Sequence, residues 1–238
     1  MVMMFMRDIC VQLLCVVASV SLLVGCRATS APDAGFISDP QDLAPNSMMP
    51  FDDVWFKQGV DLASFNSVYI APIDTSHLLK LDWWDTWNLA PGDEQQQAKR
   101  LAEYFSQKLA EAFGAYENKK LPVVSAPLKD SLIVELAIVE VIPTKIWLNA
   151  IGYVGLGPLS YGTTAFEGRL RDGASQAVIA EFKDRELGQV DVVSVADFAW
   201  FRHAQHTIEV WSDDIVKICF RAPNESISPM STVTLRPW

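Results

Sequence analysis

His203 and His206 stand three residues apart, a spacing at which two imidazoles on a helix can share one edge of a metal ion. Glu209 and Asp213 follow at helical spacing and would be the further ligands. The pattern lacks the inner glutamate of HExxH, and no mature cysteine lies near to complete a zinc set. It reads as the polar face of an amphipathic helix, and no metal is expected. Gly152, Gly155, Gly157 and Gly162 form a second cluster. It has neither the lysine of a phosphate loop nor the spacing of a dinucleotide loop, and Pro158 removes a backbone donor. The cluster reads as a turn packed under a sheet, or as an apolar loop flanking a groove. Trp83-Trp84-Asp85-Thr86-Trp87 is a third cluster. Indoles so concentrated are costly to leave in water. They suit a partner surface, stacking on a sugar or a bilayer interface, or a segment folded back over its own sheet. Trp83, Trp84 and Trp87 are therefore candidate partner-binding residues. Glycoside hydrolysis would need two placed carboxylates, and no such pair stands out. No catalytic residue is assigned and no cofactor is expected.

Cys26 carries a different chemistry. Residues 9–24 are almost wholly apolar and end in Leu23-Val24-Gly25-Cys26. The run is too short for a comfortable membrane span and has the length of a signal h-region. Its end resembles the bacterial lipobox, where small residues admit a signal peptidase to the bond before a cysteine. The thiol takes a diacylglycerol, and the freed amine is usually acylated. Each buried CH₂ contributes roughly 0.8 kcal/mol, so two or more chains hold a protein where one does not. Arg7 beside Asp8 makes a weakly basic n-region. Arg27 is not the aspartate that retains such proteins at an inner membrane, so outer-membrane residence facing the periplasm is expected.

The elements that must position these residues follow from composition and periodicity. The chain has 238 residues and a formal charge of −10. Loss of residues 1–25 removes Arg7 and Asp8 and leaves 18 basic against 28 acidic residues, still −10. An acidic surface argues against nucleic acid. Cys10 and Cys15 leave with the signal, so only Cys219 remains besides Cys26 and no internal disulfide can form. Cys219 sits in an apolar stretch and reads as a small core residue. The expected organisation is a signal peptide over 1–25, a lipidated cysteine and flexible tether over 26–50, one domain over 51–222, and a tail over 223–238. The tether is inferred from Pro32, Pro40, Pro45 and Pro50 with polar residues between them.

Within the domain, 68–73 reads as a strand closed by Pro72. Ala98, Leu101, Ala102, Phe105, Leu109, Ala112 and Phe113 form a helical stripe from Asp93, with Lys99 and Glu103 off it and Gly114 as a stop. Val123-Val124 is a short strand. Residues 132–142 form the strongest strand, apolar on both faces: Leu132, Val134, Leu136 and Ile138 on one, Ile133, Ala137, Val139 and Val141 on the other. A hairpin follows. Thr164, Phe166, Gly168 and Leu170 face inward, and Glu167, Arg169 and Arg171 face water. In its second strand Val178, Ala180 and Phe182 oppose Ile179, Glu181, Lys183 and Arg185. Asp172-Gly173 begins the turn. A helix over 195–220 places Ile208, Trp211, Ile215, Ile218 and Cys219 on one side. The fold class is α+β, a mainly antiparallel sheet with two long amphipathic helices, preceded by the signal peptide and tether.

Trp55, the run Gly59 to Leu62, Phe65, Val68 to Pro72, the helix from Asp93, residues 132–142, Ala165 to Asp172 and the closing helix with Trp200 and Trp211 carry a resemblance. Over residues 54–220 the chain is similar to a family of Gram-negative bacterial lipoproteins known by a domain of unknown function. In that family the hairpin turn reads as Asp, two residues, Ser or Thr, then Gly. Asp172-Gly173-Ala174-Ser175-Gln176 lacks the final glycine, which leaves its turn type open. The resemblance implies a small α/β envelope-type domain and an envelope address, without a mechanism. The expected function is a periplasm-facing lipoprotein with a non-enzymatic binding or structural role, joined to the membrane through Cys26 and bound to an envelope protein. The alternative is an enzyme on envelope glycan or lipid that holds substrate with Trp83–Trp87.

Overall fold

The computed structural model describes residues 30–79, 93–116, 121–142, 163–187, 202–221 and 225–227. Leu23, Val24, Gly25 and Cys26, the tryptophans at 83, 84 and 87, the glycine cluster at 152–162 and Trp200 lie outside the described residues. So do positions 195–201 of the expected closing helix.

Six strands form one sheet: β1 (Asp53–Phe56), β2 (Ser67–Ile70), β3 (Val123–Val124), β4 (Ser131–Ile142), β5 (Thr163–Asp172) and β6 (Val178–Leu187). Their order is β1-β6-β5-β4-β2-β3. The pairs β1–β6, β6–β5 and β5–β4 are antiparallel, whereas β2 runs parallel to both β3 and β4. The fold is α+β and the sheet mostly antiparallel, as the periodicity implies. The parallel corner has a chain-level cause. A long helix separates β2 from β3 and β4, and a parallel pair needs a crossover of that length. β1 was not expected; it is short, pairs with β6 and is flanked on its other side by a single bridge to Ala44.

Two helices, α1 (Asp93–Ala115) and α2 (Arg202–Phe220), pack side by side on one sheet face. The α1 stripe behaves as its spacing requires. Leu101 is 3 % exposed, while Phe105, Leu109 and Phe113 are fully buried and Lys99 and Glu103 face water. From α2, Ile208, Trp211, Ile215, Ile218 and Cys219 enter the same core. Leu132, Val134, Leu136, Ile138, Phe166, Leu170 and Phe182 meet them from the sheet. Gly168 is needed here: an added Cβ would come within 2.4 Å of the Phe182 ring and 2.8 Å of Leu136.

The 172–177 turn resolves the missing glycine. Asp172 accepts hydrogen bonds from the backbone N–H groups of Ala174 and Ser175, at 2.7 and 2.8 Å. Gln176 then takes the left-handed conformation at φ 59°, the position the related turn reserves for glycine. These bonds, that of Ser175 foremost, hold the Asp172 carboxyl below the usual carboxylate range against the opposing effect of burial.

Three expectations are corrected. The register between β4 and β5 slips at Val139, where Ile138 faces Phe166 but Glu140 faces Ala165. This β-bulge moves Val141 into the helix-side core and puts Glu140 on the outer face, the face that also carries Glu135. A second slip at Ile179 buries that residue in the helix-side core rather than leaving it in water. The third correction concerns the segment expected as a flexible tether. From Ser30 onward it is not free. Residues 30–43 lie as a strap across the outer sheet face, and Ala31, Phe36 and Ile37 pack there on Ala137, Val139 and Ala165. Farther along, Met49 and Phe51 join the helix-side core, and Ala44 pairs with Val54. The outer face expected to be solvated is therefore largely covered.

Candidate functional site

Two regions of the domain have geometry beyond a packed core. The first is the covered outer face, where charged side chains from β4, β5 and β6 meet the strap. Glu167 is 2 % exposed and accepts three backbone hydrogen bonds: from Ala34 at 2.7 Å on one oxygen, from Phe36 at 3.0 Å and Ile37 at 2.9 Å on the other. Gly35, at φ 86°, turns the chain so that these N–H groups converge on one carboxylate. Glu135 is held by Arg169 and by Arg171, the latter at 2.8 Å. Burial alone would raise its pKa, but the two guanidinium groups outweigh that and lower it. Glu140 accepts from Arg185 and from the Thr163 hydroxyl, both at 2.7 Å. Lys183 reaches Asp33 on the strap at 2.7 Å. The Arg169 guanidinium also sits 4.5 Å over the Phe36 ring. Each of these carboxylates is occupied by partners within the chain. The region's work is to fasten residues 30–37 to the sheet.

The second region is an open groove of about 750 Å³ between α1 and the β2–β3 edge. Ile70, Ile73, Ala102 and Val124 give it an apolar floor, and Lys99, Glu103 and Gln107 project from α1 along one wall. Pro72 also lines it and has no N–H to offer an added strand. Side-chain recognition fits this groove better than strand addition. The elements that wall the groove were each legible in the sequence, but the groove between them was not, because periodicity does not report how a helix packs beside a parallel edge. The segment carrying Trp83, Trp84 and Trp87 joins the β2 wall to the α1 wall along the chain.

The histidine pair is resolved in part. His206 lies on the exposed side of α2, with Nδ1 3.8 Å from Glu209. Asp213 is exposed on the same helix. Among the described residues no group of three His, Cys, Asp or Glu is placed to hold a metal ion. Glu209 instead accepts from the Tyr104 hydroxyl. Burial and that carboxylate push the phenol up to about 12. Cys219 is fully buried, and desolvation raises its thiol likewise to about 12, so it is an unreactive core residue.

Asp184 is a buried acid on the face that alternation gives to Val178, Ala180 and Phe182. It is 2 % exposed on the helix side of β6. It accepts from the Trp211 indole N–H at 2.7 Å and the Asp52 backbone N–H at 3.0 Å. Burial pushes its carboxyl well above the ordinary range, and the nearby charges of Glu186 and Asp52 add to this. The folded state therefore keeps a proton that the unfolded chain releases near pH 4. Stability contributed by that proton is complete below the unfolded pKa and is lost as pH rises through the folded one. Urea unfolding from about pH 4 to about pH 8 should show it. Asp184→Asn should gain stability relative to the unaltered protein as pH rises. A difference between the two that does not change with pH would contradict the assignment.

Comparison with known proteins supplies a family and distant likenesses. The family model described as a protein of unknown function, DUF3313, matches residues 32–215. No curated protein matches. Among solved structures, a PelC dodecamer from Paraburkholderia phytofirmans has 12% sequence identity and a TM-score of 0.39, covering 72% of this chain and 98% of that one. A protein from Xanthomonas campestris assigned to family model DUF330 has 10% identity and a TM-score of 0.39, covering 67% of this chain and 86% of that one.

Proposed function

The chain belongs to the DUF3313 family of proteins of unknown function, and we propose that it is a lipid-anchored, periplasm-facing envelope lipoprotein with a non-enzymatic binding role. The observation that carries this reading is the apolar run 9–24 ending in Leu23-Val24-Gly25-Cys26. It places a thiol directly after a small residue at the end of a signal-length segment. From Ser30 onward the described chain is packed on the sheet, so a lipid on Cys26 would lie only a few residues from the domain. Outer-membrane residence follows from Arg27 after the cysteine.

The binding half of the proposal is supported by the groove. Its apolar floor and charged wall match the mixed character of partner surfaces. A protein of the envelope is the proposed occupant.

The test is genetic and chemical. Cys26→Ser should abolish fatty-acid labelling and shift the protein out of the membrane fraction. Crosslinks between the native lipoprotein and an envelope protein should be lost when Ala102, on the groove floor, is replaced by a bulky residue. Unchanged labelling and fractionation of the Ser variant would overturn the anchoring reading.

A further inference from the structure

We propose that the β1 edge of the sheet is the membrane-proximal surface of this protein and that the α1 groove is turned to the opposite side. The inference rests on the lipidation of Cys26 proposed above, and adds to it an orientation that the strap imposes.

Chain length limits how far the domain can stand from its lipid. Had residues 26–50 been a free spacer, its 24 steps could extend to about 85 Å and let the domain stand well clear of the bilayer. The strap removes nearly all of that length. Ala31 is 3 % exposed, Phe36 and Ile37 are buried on the outer sheet face, and Glu167 holds the backbone between them. Lys183 adds its ion pair to Asp33. Ser30 is tied to the β1 edge itself, where its hydroxyl donates to the Asp53 carboxylate. Only four steps then separate Ser30 from Cys26, at most about 14 Å. A lipidated Cys26 sits at the glycerol level of a bilayer, so Asp53 and its neighbours on β1 must lie close to the headgroups.

The sheet order sets what faces away. β1, with the Ala44 bridge beyond it, is one edge and β3 is the other. Five strand spacings separate them, about 24 Å. The groove is bounded by β2, β3 and α1, and so belongs to the far edge. At the near edge the Asp33 and Asp53 carboxylates share Lys183, at 2.7 and 3.8 Å, which leaves no basic patch to draw anionic headgroups. The surface is held there by its tether, and zwitterionic lipid is the partner it fits.

The experiment uses the full-length lipoprotein, purified from membranes and reconstituted into phosphatidylcholine vesicles with a nitroxide on some headgroups. A fluorophore is placed at Trp55→Cys on β1 or at Val123→Cys on β3, with melting temperature checked for each. Vesicle-bound protein should show severalfold stronger quenching at position 55 than at 123. Inserting a long Gly/Ser spacer between Cys26 and Ser30 should abolish that difference. Equal quenching at both positions in fully bound protein would overturn the orientation and leave the lipid anchor standing. A difference that survives the spacer would also overturn it, since the short tether would then not be the cause. Protein that does not bind vesicles at all would defeat the anchoring reading, and this inference with it.

Discussion

Phe105→Ala is expected to destabilise the protein by about 3–5 kcal/mol. Phe105 is fully buried at the centre of the α1 stripe. Its ring meets Phe166 edge-on at 6.0 Å and lies 6.1 Å from the Trp211 indole. One neighbour belongs to the central sheet and the other to α2, so the space left by the ring is framed by two large side chains on separate rigid elements. Neither can swing in to fill it, which places the cost in the range found for uncollapsed cavities. In a domain of this size the melting temperature should fall by roughly 6–20 °C. A loss below about 1 kcal/mol would mean that α1 does not press this face on the sheet.

The second large effect is expected at Glu167. Replacing it with Ala leaves three backbone N–H groups, of Ala34, Phe36 and Ile37, without their acceptor. Keeping them buried and unpaired would cost about 1–3 kcal/mol each. The strap has a cheaper way out, which is to lift and return those groups to water. The overall loss is therefore capped near the docking energy of the strap, on the order of 2–4 kcal/mol. What distinguishes this from a general weakening is its location. Amide exchange at Phe36 and Ile37 should accelerate strongly, while Leu136 and Ile138 in the sheet centre keep their protection. Unchanged exchange at Phe36 and Ile37 would show that Glu167 does not fasten the strap. Glu167→Gln should fall between, because one amide oxygen can still accept while the amide nitrogen faces a donor.

These two sites mark where the sequence was legible and where it was not. Phe105 was readable because helical periodicity is local: its stripe is complete within residues 98–113. The same holds for β4 and for the hairpin, whose turn chemistry lies within six residues. The strap was not readable. Its prolines and polar residues average to the composition of a spacer, and only Ala31, Phe36 and Ile37 are buried in its first part. What holds it is a carboxylate about 130 residues away, a pairing with no local signature. The bulge at Val139 is of the same kind. Strict alternation put Val141 on the outer face, and only the register with β5 shows the reversal that carries Glu140 to Arg185. The parallel pairing of β2 with β4 had a signal in the strand–helix–strand order, which outweighs the hairpin's antiparallel example. Asp184 had a signal in the alternation, which carries the inward face of Val178, Ala180 and Phe182 on to position 184, but its buried partners Trp211 and Asp52 lie far away in the chain. The groove depends on how α1 packs beside that parallel edge, a spatial closeness that no local pattern carries.

The central claim is the lipid on Cys26, and mass spectrometry of the mature N-terminal peptide from the membrane fraction tests it most directly. The account predicts a peptide that begins at Cys26 and carries the added mass of a diacylglyceryl group, with a further acyl chain on its amine. A mature chain that begins elsewhere, or a Cys26 peptide of unmodified mass, would contradict it.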